Sequence, residues 1–337
     1  MADFSVVICT YNGAGNLSLV LERLRHQQAP ASLSWEVVVV DNNSTDDTPS
    51  VVRDYQQAWA GVIPLHYYFE RQQGLAYARR CALRHVTAPL IGFLDDDNFP
   101  SETWVGDAWQ FGCQHPRAGA YGSEVQPVYD APPPEGFRRI ASLLAIINRG
   151  DQPFVYAARP GVLPSGAGMV VRREAWLAHV PKQPKLAGVS DRSLKAKGED
   201  VETLSYIRDA GWEVWHNPTM KIQHHIPTER IQPAYLIKLC RSVGLNRFPL
   251  RMIRHRPWQR PFVLPLYALN DLRRLVLYLM RHYRSLSGDV ICACELTLLT
   301  SSLISPLYHW FSDLSMLGRT VGGALFQRQA PDHKTVL

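Results

Sequence analysis

The sequence predicts an α/β protein in which a doubly wound sheet is followed by a helical appendage. Over the first 115 residues, short apolar runs rich in β-branched residues alternate with stretches of helical periodicity. This alternation is typical of a sheet whose strands are joined by crossover helices. From about residue 232 onward, helical patterns dominate instead. The chain therefore divides into a sheet-forming part and a helical part.

Four apolar runs have the length and composition of buried strands, and they cover residues 4–9, 35–40, 65–69 and 90–94. Helices are predicted between them, one of which begins at Thr48-Pro49, where a capping residue precedes a first-turn proline. Proline and glycine are dense over residues 127–164, which predicts a long excursion. Later elements are predicted as strands at 168–171, 213–216 and 220–223 and a helix at 199–210.

Composition narrows the class of protein. The chain of 337 residues is 46% hydrophobic and 20% charged, which is the balance of a folded protein. Its six cysteines form no Cys-x-x-Cys pair, so zinc and redox motifs are not indicated and a reducing compartment is favoured. The first residues carry Asp3 and only a short apolar run, unlike a signal peptide, which predicts a cytoplasmic location.

Polar residues follow three of the four predicted strands. They are Thr10, Tyr11 and Asn12 after the first, Asp41 and Asn42 after the second, and Asp95, Asp96 and Asp97 after the fourth. Doubly wound sheets bind ligands at the carboxyl ends of their strands. The pattern therefore indicates a nucleotide site at this edge of the sheet.

The run Asp95-Asp96-Asp97 points to a metal ion. Three adjacent carboxylates repel one another, and a divalent cation with a bound diphosphate would relieve that repulsion. Carboxylate oxygens suit Mg²⁺ or Mn²⁺. The alternative is an acidic turn before a helix that begins near Ser101.

A second acidic pair, Glu199 and Asp200, lies at a predicted loop-to-helix boundary after Gly198. A carboxylate there could act as a general base that takes the proton from an attacking hydroxyl. The alternative is an ordinary acidic helix N-terminus, which the helix dipole favours. Asp41 could likewise accept hydrogen bonds from a ribose or base, or simply form a turn.

Six segments stand in the order found in glycosyltransferase family 2, which the sequence resembles over about residues 4–230. They read SVVICTYN from residue 5, VVVDNNSTD from 38, QGLAYAR from 73, DDDN from 95, PSGAG from 164 and GED from 198. The resemblance implies a GT-A fold, a catalytic domain at 1–230, and inverting transfer from a nucleotide diphosphate sugar. The implied donor is a UDP-sugar by default, and the implied cofactor is Mn²⁺ or Mg²⁺.

The resemblance also implies roles for individual residues. Asp97 would bind the metal, and Asp200 would be the catalytic base with Glu199 beside it. In some GT-A enzymes a histidine after the base helix completes the metal shell, which favours His225; a histidine packed at a strand end is the alternative. The residues that would bind the nucleotide sugar are Thr10, Tyr11, Asn12, Asp41, Gly74, Arg79, Asp95, Asp96, Gly166 and Ala167.

Processive members of the family carry Gln-x-x-Arg-Trp after the base. The corresponding residues 239–247 read LCRSVGLNR and lack that motif, which predicts a single addition to an acceptor hydroxyl. The acceptor class expected for such an enzyme is a polyprenyl-linked or nascent glycan in polysaccharide biosynthesis.

The appendage is predicted at residues 231–320, followed by a flexible tail at 321–337. Residues 238–260 hold seven basic residues and no acid, which favours an anionic membrane surface or a solvated face. Residues 262–283 are too polar to span a bilayer but suit an interfacial helix. For the more apolar residues 290–311, docking at the interface, a true span and packing on the core all stay open.

Two other functions compete. A sugar-1-phosphate nucleotidyltransferase would need a basic, glycine-rich loop after the first strand, but residues 10–15 contain no Lys or Arg. A non-catalytic nucleotide-sugar-binding scaffold is disfavoured by the intact Asp97 and Asp200. Nucleic-acid binding is not expected, because regularly spaced stacking aromatics and known reader motifs are missing.

Overall fold

The computed structural model describes residues 1–156, 162–183, 186, 198–283 and 288–327, with side chains up to residue 311. Its strands are β1 Phe4–Thr10, β2 Trp35–Asp41, β3 Leu65–Phe69, β4 Leu90–Asp95, β5 Asn98–Pro100, β6 Ala118–Tyr129, β7 Phe154–Val155, β8 Met169–Arg172 and β9 Glu213–Ile226. Its helices are α1 Ala14–Arg25, α2 Thr48–Ala58, α3 Leu75–His85, α4 Trp104–Gln114, α5 Arg173–His179, α6 Glu199–Asp209, α7 Pro233–Leu245, α8 Arg247–Ile253, α9 Arg260–His282 and α10 Val290–Gln327.

The strands form one mixed sheet in the order β3-β2-β1-β4-β8-β6-β9-β5, with β7 added beside β9. Strands β1 to β4 run parallel, and β8 lies antiparallel between β4 and β6. In register, Thr10 stands opposite Asp41, and Cys9 stands opposite Asp95. The polar residues that follow β1, β2 and β4 therefore meet at one edge, as the sequence predicts.

Successive side chains of the parallel strands enter two different cores. Val6 and Ile8 of β1 pack in the core on one face of the sheet, whereas Val7 and Cys9 pack on the other. A strand that is covered on both faces has to be apolar at every position, because its side chains alternate between the two sides. This explains why the predicted strands appear as continuous apolar runs.

The four predicted N-terminal strands are confirmed to within one residue. The predicted pair of strands at 213–216 and 220–223 is wrong, since they form the single strand β9. Pro218 lies between them, and the pairing of β9 with β6 shifts register at that point, so a bulge absorbs the proline. The expected excursion from 127 begins with the last residues of β6, which continues to Tyr129.

The C-terminal helices form a third packed layer. The first half of α10 packs against α7, and Gly244 permits the contact, because a Cβ there would lie 2.6 Å from Cβ of Ser301. Buried residues of α7 and α10 join those of the segment after β6 in one cluster. Helix α10 continues to Gln327, into the segment 321–337 predicted as a flexible tail, and residues 328–337 lie outside the described part.

Glycine at position 92 of β4 is required by the core, which gives a stability prediction. A Cβ on Gly92 would come within 2.7 Å of Trp104 and 2.8 Å of Phe4, both fully buried. Gly92→Ala should therefore lower the free energy of unfolding by about 1–3 kcal/mol, as overpacking does. Gly15→Ala in the first turn of α1 is the control, since it meets open space and replaces glycine in a helix. Urea denaturation of both variants measures the effect, and equal stability of the two would contradict it.

Candidate active site

The loop after β1 is joined to the acidic run after β4. The Thr10 hydroxyl donates a hydrogen bond to Oδ2 of Asp96 over 2.6 Å. Gly13 packs against this pair so closely that any side chain there would collide with both residues. Two of the residues predicted to contact the nucleotide are thus held together by a direct bond.

Asp41 is fully buried at the end of β2. Its Oδ1 accepts the backbone N–H of Ser44 at 2.8 Å, and its Oδ2 accepts the Tyr67 hydroxyl at 2.7 Å. The carboxylate therefore orders the following loop, and its predicted contact with a nucleobase stays a prediction. Nearby, Oδ1 of Asn12 accepts the N–H of Thr45 at 2.8 Å, which fastens the β1 and β2 loops to each other.

Asn42 is a structural residue of the site; the sequence places it among the polar residues after the second strand but does not predict its role. Its amide donates to the carbonyls of Glu70 and Gln72, and its Oδ1 accepts the N–H of Gly74. Gly74 has a φ of 135°, which favours glycine, and α3 begins directly after it. Asn42 thereby fixes the start of the helix that carries Arg79. Its place beside Asp41 at the end of a strand was the available signal.

Arg79 and Glu199 form a buried ion pair. Nη1 of Arg79 lies 3.3 Å from Oε1 of Glu199, and the guanidinium also lies over the Phe93 ring at 5.4 Å. Burial and the charge of Asp200 raise the pKa of Glu199 to about 7, although Arg79 opposes this rise. Gly166 leaves room for the pair, because a Cβ there would lie 2.6 Å from Nη2 of Arg79.

Asp200 is more accessible than Glu199, its neighbour at the start of α6. Its Oδ2 accepts the N–H of Gly166 at 2.8 Å, and its Oδ1 accepts the N–H of Val201 at 2.8 Å. A cavity of about 500 Å³ opens beside it. Six of the predicted site residues line that cavity, namely Arg79, Asp95, Gly166, Ala167, Glu199 and Asp200.

Asp97 lies among cationic and polar partners. Its Oδ2 accepts Nη1 of Arg230 at 2.7 Å and lies 3.5 Å from Nε2 of His224, while its Oδ1 accepts the amide of Asn98 at 2.9 Å. Burial alone would raise the pKa of this carboxyl, but His224 and Arg230 outweigh it and lower the pKa. The carboxyl of Asp97 therefore favours its ionised form, and its predicted role as a metal ligand stays a prediction.

The assignment of His225 to the metal is corrected by the structure. Its Nε2 is hydrogen-bonded to Oδ1 of Asp130 at 2.9 Å, and its ring stacks on Phe99. Side chains alternate along β9, so the neighbouring His224 points to Asp97 instead. His224 and Arg230 are the two partners of Asp97 that the sequence prediction did not name, and only the adjacent pair of histidines hinted at the first.

The Asp97–His224 pair fits a divalent cation. Ligand distances of about 2.0–2.2 Å place neighbouring ligand atoms of one metal roughly 3 Å apart, close to the 3.5 Å observed here. In the described chain, Nδ1 of His224 is buried without a hydrogen-bond partner, so the ring can adjust to a ligand. The described residues contain no group of three potential ligands, so further ligands would have to come from a substrate or water.

The pKa of Asp96 gives a prediction for the metal-free protein. Burial first, and then the charge of Asp97, raise this pKa to about 7, against the hydrogen bond from Thr10. The folded state then holds a proton that the unfolded state loses near pH 4, so stability falls as the pH rises from about 4 to about 7.

Asp96→Asn removes this dependence while keeping an oxygen that can accept the Thr10 hydroxyl. Relative to the wild type, the variant should gain stability on the order of 1 kcal/mol between pH 5 and pH 8, after allowance for solvent screening. Urea denaturation in EDTA at both pH values measures the gain. The same stability difference at both pH values would refute the raised pKa.

The comparisons with known proteins agree with this geometry. Residues 5–168 match the model of glycosyl transferase family 2. Glycosyltransferase AglE of Haloferax volcanii is 34% identical over 101 residues, which are 30% of this chain and 32% of that protein. Validoxylamine A glucosyltransferase of Streptomyces hygroscopicus subsp. jinggangensis is 42% identical over 93 residues, 27% of this chain and 21% of that protein. The chain thus matches a third or less of the length of these relatives.

Solved structures resemble nearly the whole chain. Mannosyltransferase PcManGT from Pyrobaculum calidifontis, in complex with GDP-Man and Mn²⁺, matches with a TM-score of 0.59 at 20% identity, over 92% of this chain and 88% of that one. TarS 1–349 of S. aureus matches with a TM-score of 0.51 at 14% identity, over 91% of both chains. Residues 5–168 thus match glycosyl transferase family 2, and the likeness to these solved structures shows that the chain has the GT-A fold.

Proposed function

We propose that this chain transfers a sugar from a nucleotide diphosphate sugar to an acceptor hydroxyl, with inversion at the anomeric carbon and one addition per acceptor. The observation that carries the proposal is a cavity at the carboxyl edge of the sheet. Asp200 and Asp95 both line it, and Asp96 and Asp97 follow Asp95 directly in the chain. This neighbourhood supports a hydroxyl-activating carboxylate at Asp200 beside an acidic run that would hold a metal.

The donor side is argued from charge. A nucleotide diphosphate is anionic, and three adjacent carboxylates would repel it unless a cation lies between them. Asp97 and His224 would hold Mn²⁺ or Mg²⁺, which would stabilise the leaving diphosphate as a Lewis acid. PcManGT with GDP-Man and Mn²⁺, and TarS with UDP, support this class of donor. We take a UDP-sugar as the default.

Asp200 is our candidate for the general base. Glu199 is engaged with Arg79 inside the protein, whereas Asp200 is partly exposed and is oriented by two backbone N–H groups. A single base that removes the acceptor proton while the diphosphate leaves from the opposite side describes one in-line displacement. Such a displacement inverts C1.

The acceptor side is bounded by helices of the appendage. Val243 of α7 and Leu250 of α8 line the same cavity as Asp200. Arg251, the next residue of α8, forms a bidentate ion pair with Asp271 at 2.5 and 2.8 Å, and Asp271 is the buried residue of α9. The wall of the cavity is therefore connected directly to α9.

Helix α9 presents an apolar face that no described residue covers. Most exposed large apolar side chains of the described chain lie between 258 and 311, and on α9 they are Phe262, Leu266, Leu269, Leu272, Val276, Leu277, Leu279 and Met280. Arg273, Arg274 and Arg281 are exposed on the same helix. Apolar and basic side chains together are complementary to an anionic lipid surface.

Over residues 290–311 of α10, where side chains are described, the exposed large apolar side chains begin at Ile304. Residues Val290–Phe311 are long and apolar enough to cross a membrane. However, Ile291, Cys294 and Leu299 are buried on the protein, whereas Trp310 and Phe311 are exposed. We therefore propose peripheral docking on the inner face of a membrane rather than a span, and a lipid-linked or nascent glycan as acceptor.

Asp200→Asn tests the base. With the donor that gives the largest thermal shift in Mn²⁺, we expect donor binding to persist while turnover falls by about 10²–10⁴-fold. Asp209→Asn, at the exposed end of the same helix, is the matched control and should keep its activity. Turnover of Asp200→Asn at the wild-type level would exclude this role. An α-linked product from an α-linked donor, detected by proton NMR, would exclude inversion.

Flotation with vesicles tests the docking surface. The full chain should float with phosphatidylglycerol vesicles at low salt and be only partly released by high salt, since salt screens charges but not apolar burial. Leu269→Gln combined with Met280→Gln should weaken flotation, whereas Leu177→Gln, an equally exposed apolar site on α5, should not. If the chain stays free of vesicles and the double variant instead dissociates an oligomer, the face is a protein interface.

A further inference from the structure

Arg230 occupies the position where the proposed metal would bind. The residue belongs to a short 3-10 turn, Thr228–Ile231, that follows β9 and is anchored by the buried Ile231. Its Nη1 contacts both potential ligands, Oδ2 of Asp97 at 2.7 Å and Nε2 of His224 at 3.3 Å. The guanidinium therefore neutralises the charge of Asp97 and contacts both atoms that would hold a divalent cation.

A metal ion and Arg230 cannot both hold these ligands at full strength. Oδ2 of Asp97 already accepts a hydrogen bond from the guanidinium, and Nε2 of His224, which would have to offer a metal its lone pair, lies 3.3 Å from the same Nη1. Two cations on one carboxylate oxygen would also repel each other. Entry of the metal therefore requires Arg230 to move away.

The side chain of Arg230 is exposed enough to move, and the donor diphosphate would offer it a new partner. Its side chain is 36% exposed, whereas that of Asp97 is 10% exposed. A diphosphate bound to the metal would bring anionic oxygens next to the displaced guanidinium, which binds such groups well. The guanidinium of Arg230, once it has left Asp97, would then face the donor diphosphate.

We propose that Arg230 exchanges partners during donor binding, pairing with Asp97 in the empty site and with the donor diphosphate once the metal has bound. The inference rests on the proposed donor and metal. It makes the metal and the nucleotide cooperative ligands: the metal alone must displace Arg230 without compensation, but together with a diphosphate it gives Arg230 a new contact.

The test measures both ligands on Arg230→Gln in the full chain. Mn²⁺ alone, followed by electron paramagnetic resonance, should bind about tenfold more tightly to the variant than to the wild type. UDP or GDP in saturating Mn²⁺, followed by calorimetry, should bind about tenfold more weakly. Changes of this size are ordinary for a coupling between two sites. Arg230→Lys should lie between the two proteins for both ligands.

Arg23→Gln, an exposed site on α1, is the control for the loss of one positive charge and should match the wild type. Weaker binding of Mn²⁺ to Arg230→Gln, or unchanged binding of both ligands in a variant with a native circular dichroism spectrum, would overturn the proposal. Failure of the wild type to bind either nucleotide with Mn²⁺ would overturn the proposed function as well, so the two failures can be told apart.

Discussion

The buried pair of Arg79 and Glu199 connects helices α3 and α6, which both carry residues of the candidate site. Arg79 comes from α3, between the parallel strands β3 and β4, and Glu199 begins α6, 120 residues later in the chain. Both are almost completely removed from water. A buried charge without its partner costs about 3–5 kcal/mol. Neither Arg79 nor Glu199 is therefore stable in this buried position without the other. Asp200 takes its position from this pair, because it follows Glu199 directly.

The acidic run after β4 places an excess of negative charge in a partly buried position. Asp96 and Asp97 are stabilised there in different ways. Asp96 accepts the Thr10 hydroxyl and has a raised pKa, while Asp97 is kept ionised by His224 and Arg230. The pKa of Asp96 is thus raised and that of Asp97 lowered, so the negative charge of the run is concentrated on Asp97. Such an arrangement is suited to binding a cation at one defined position.

The helical appendage serves both catalysis and location in the function that we propose. Its inner side completes the wall of the cavity through Val243 and Leu250, and its outer side is the uncovered apolar face of α9. The ion pair of Arg251 with Asp271 ties the two sides together. An acceptor carried in a membrane would thus be presented at the end of the cavity next to Asp200.

The sequence by itself determined the elements whose signal is local. Continuous apolar runs specified β1 to β4, because strands covered on both faces must be apolar throughout. The polar residues at the carboxyl ends of these strands specified the edge of the sheet that carries the candidate site. Tertiary structure decided what depends on contacts between distant segments. Pairing across a bulge joined two predicted strands into β9, and the alternation along that strand chose His224 over His225. The partner of Asp97, Arg230, lies 133 residues away in a turn without any motif, and only folding brings that charge to the carboxylate.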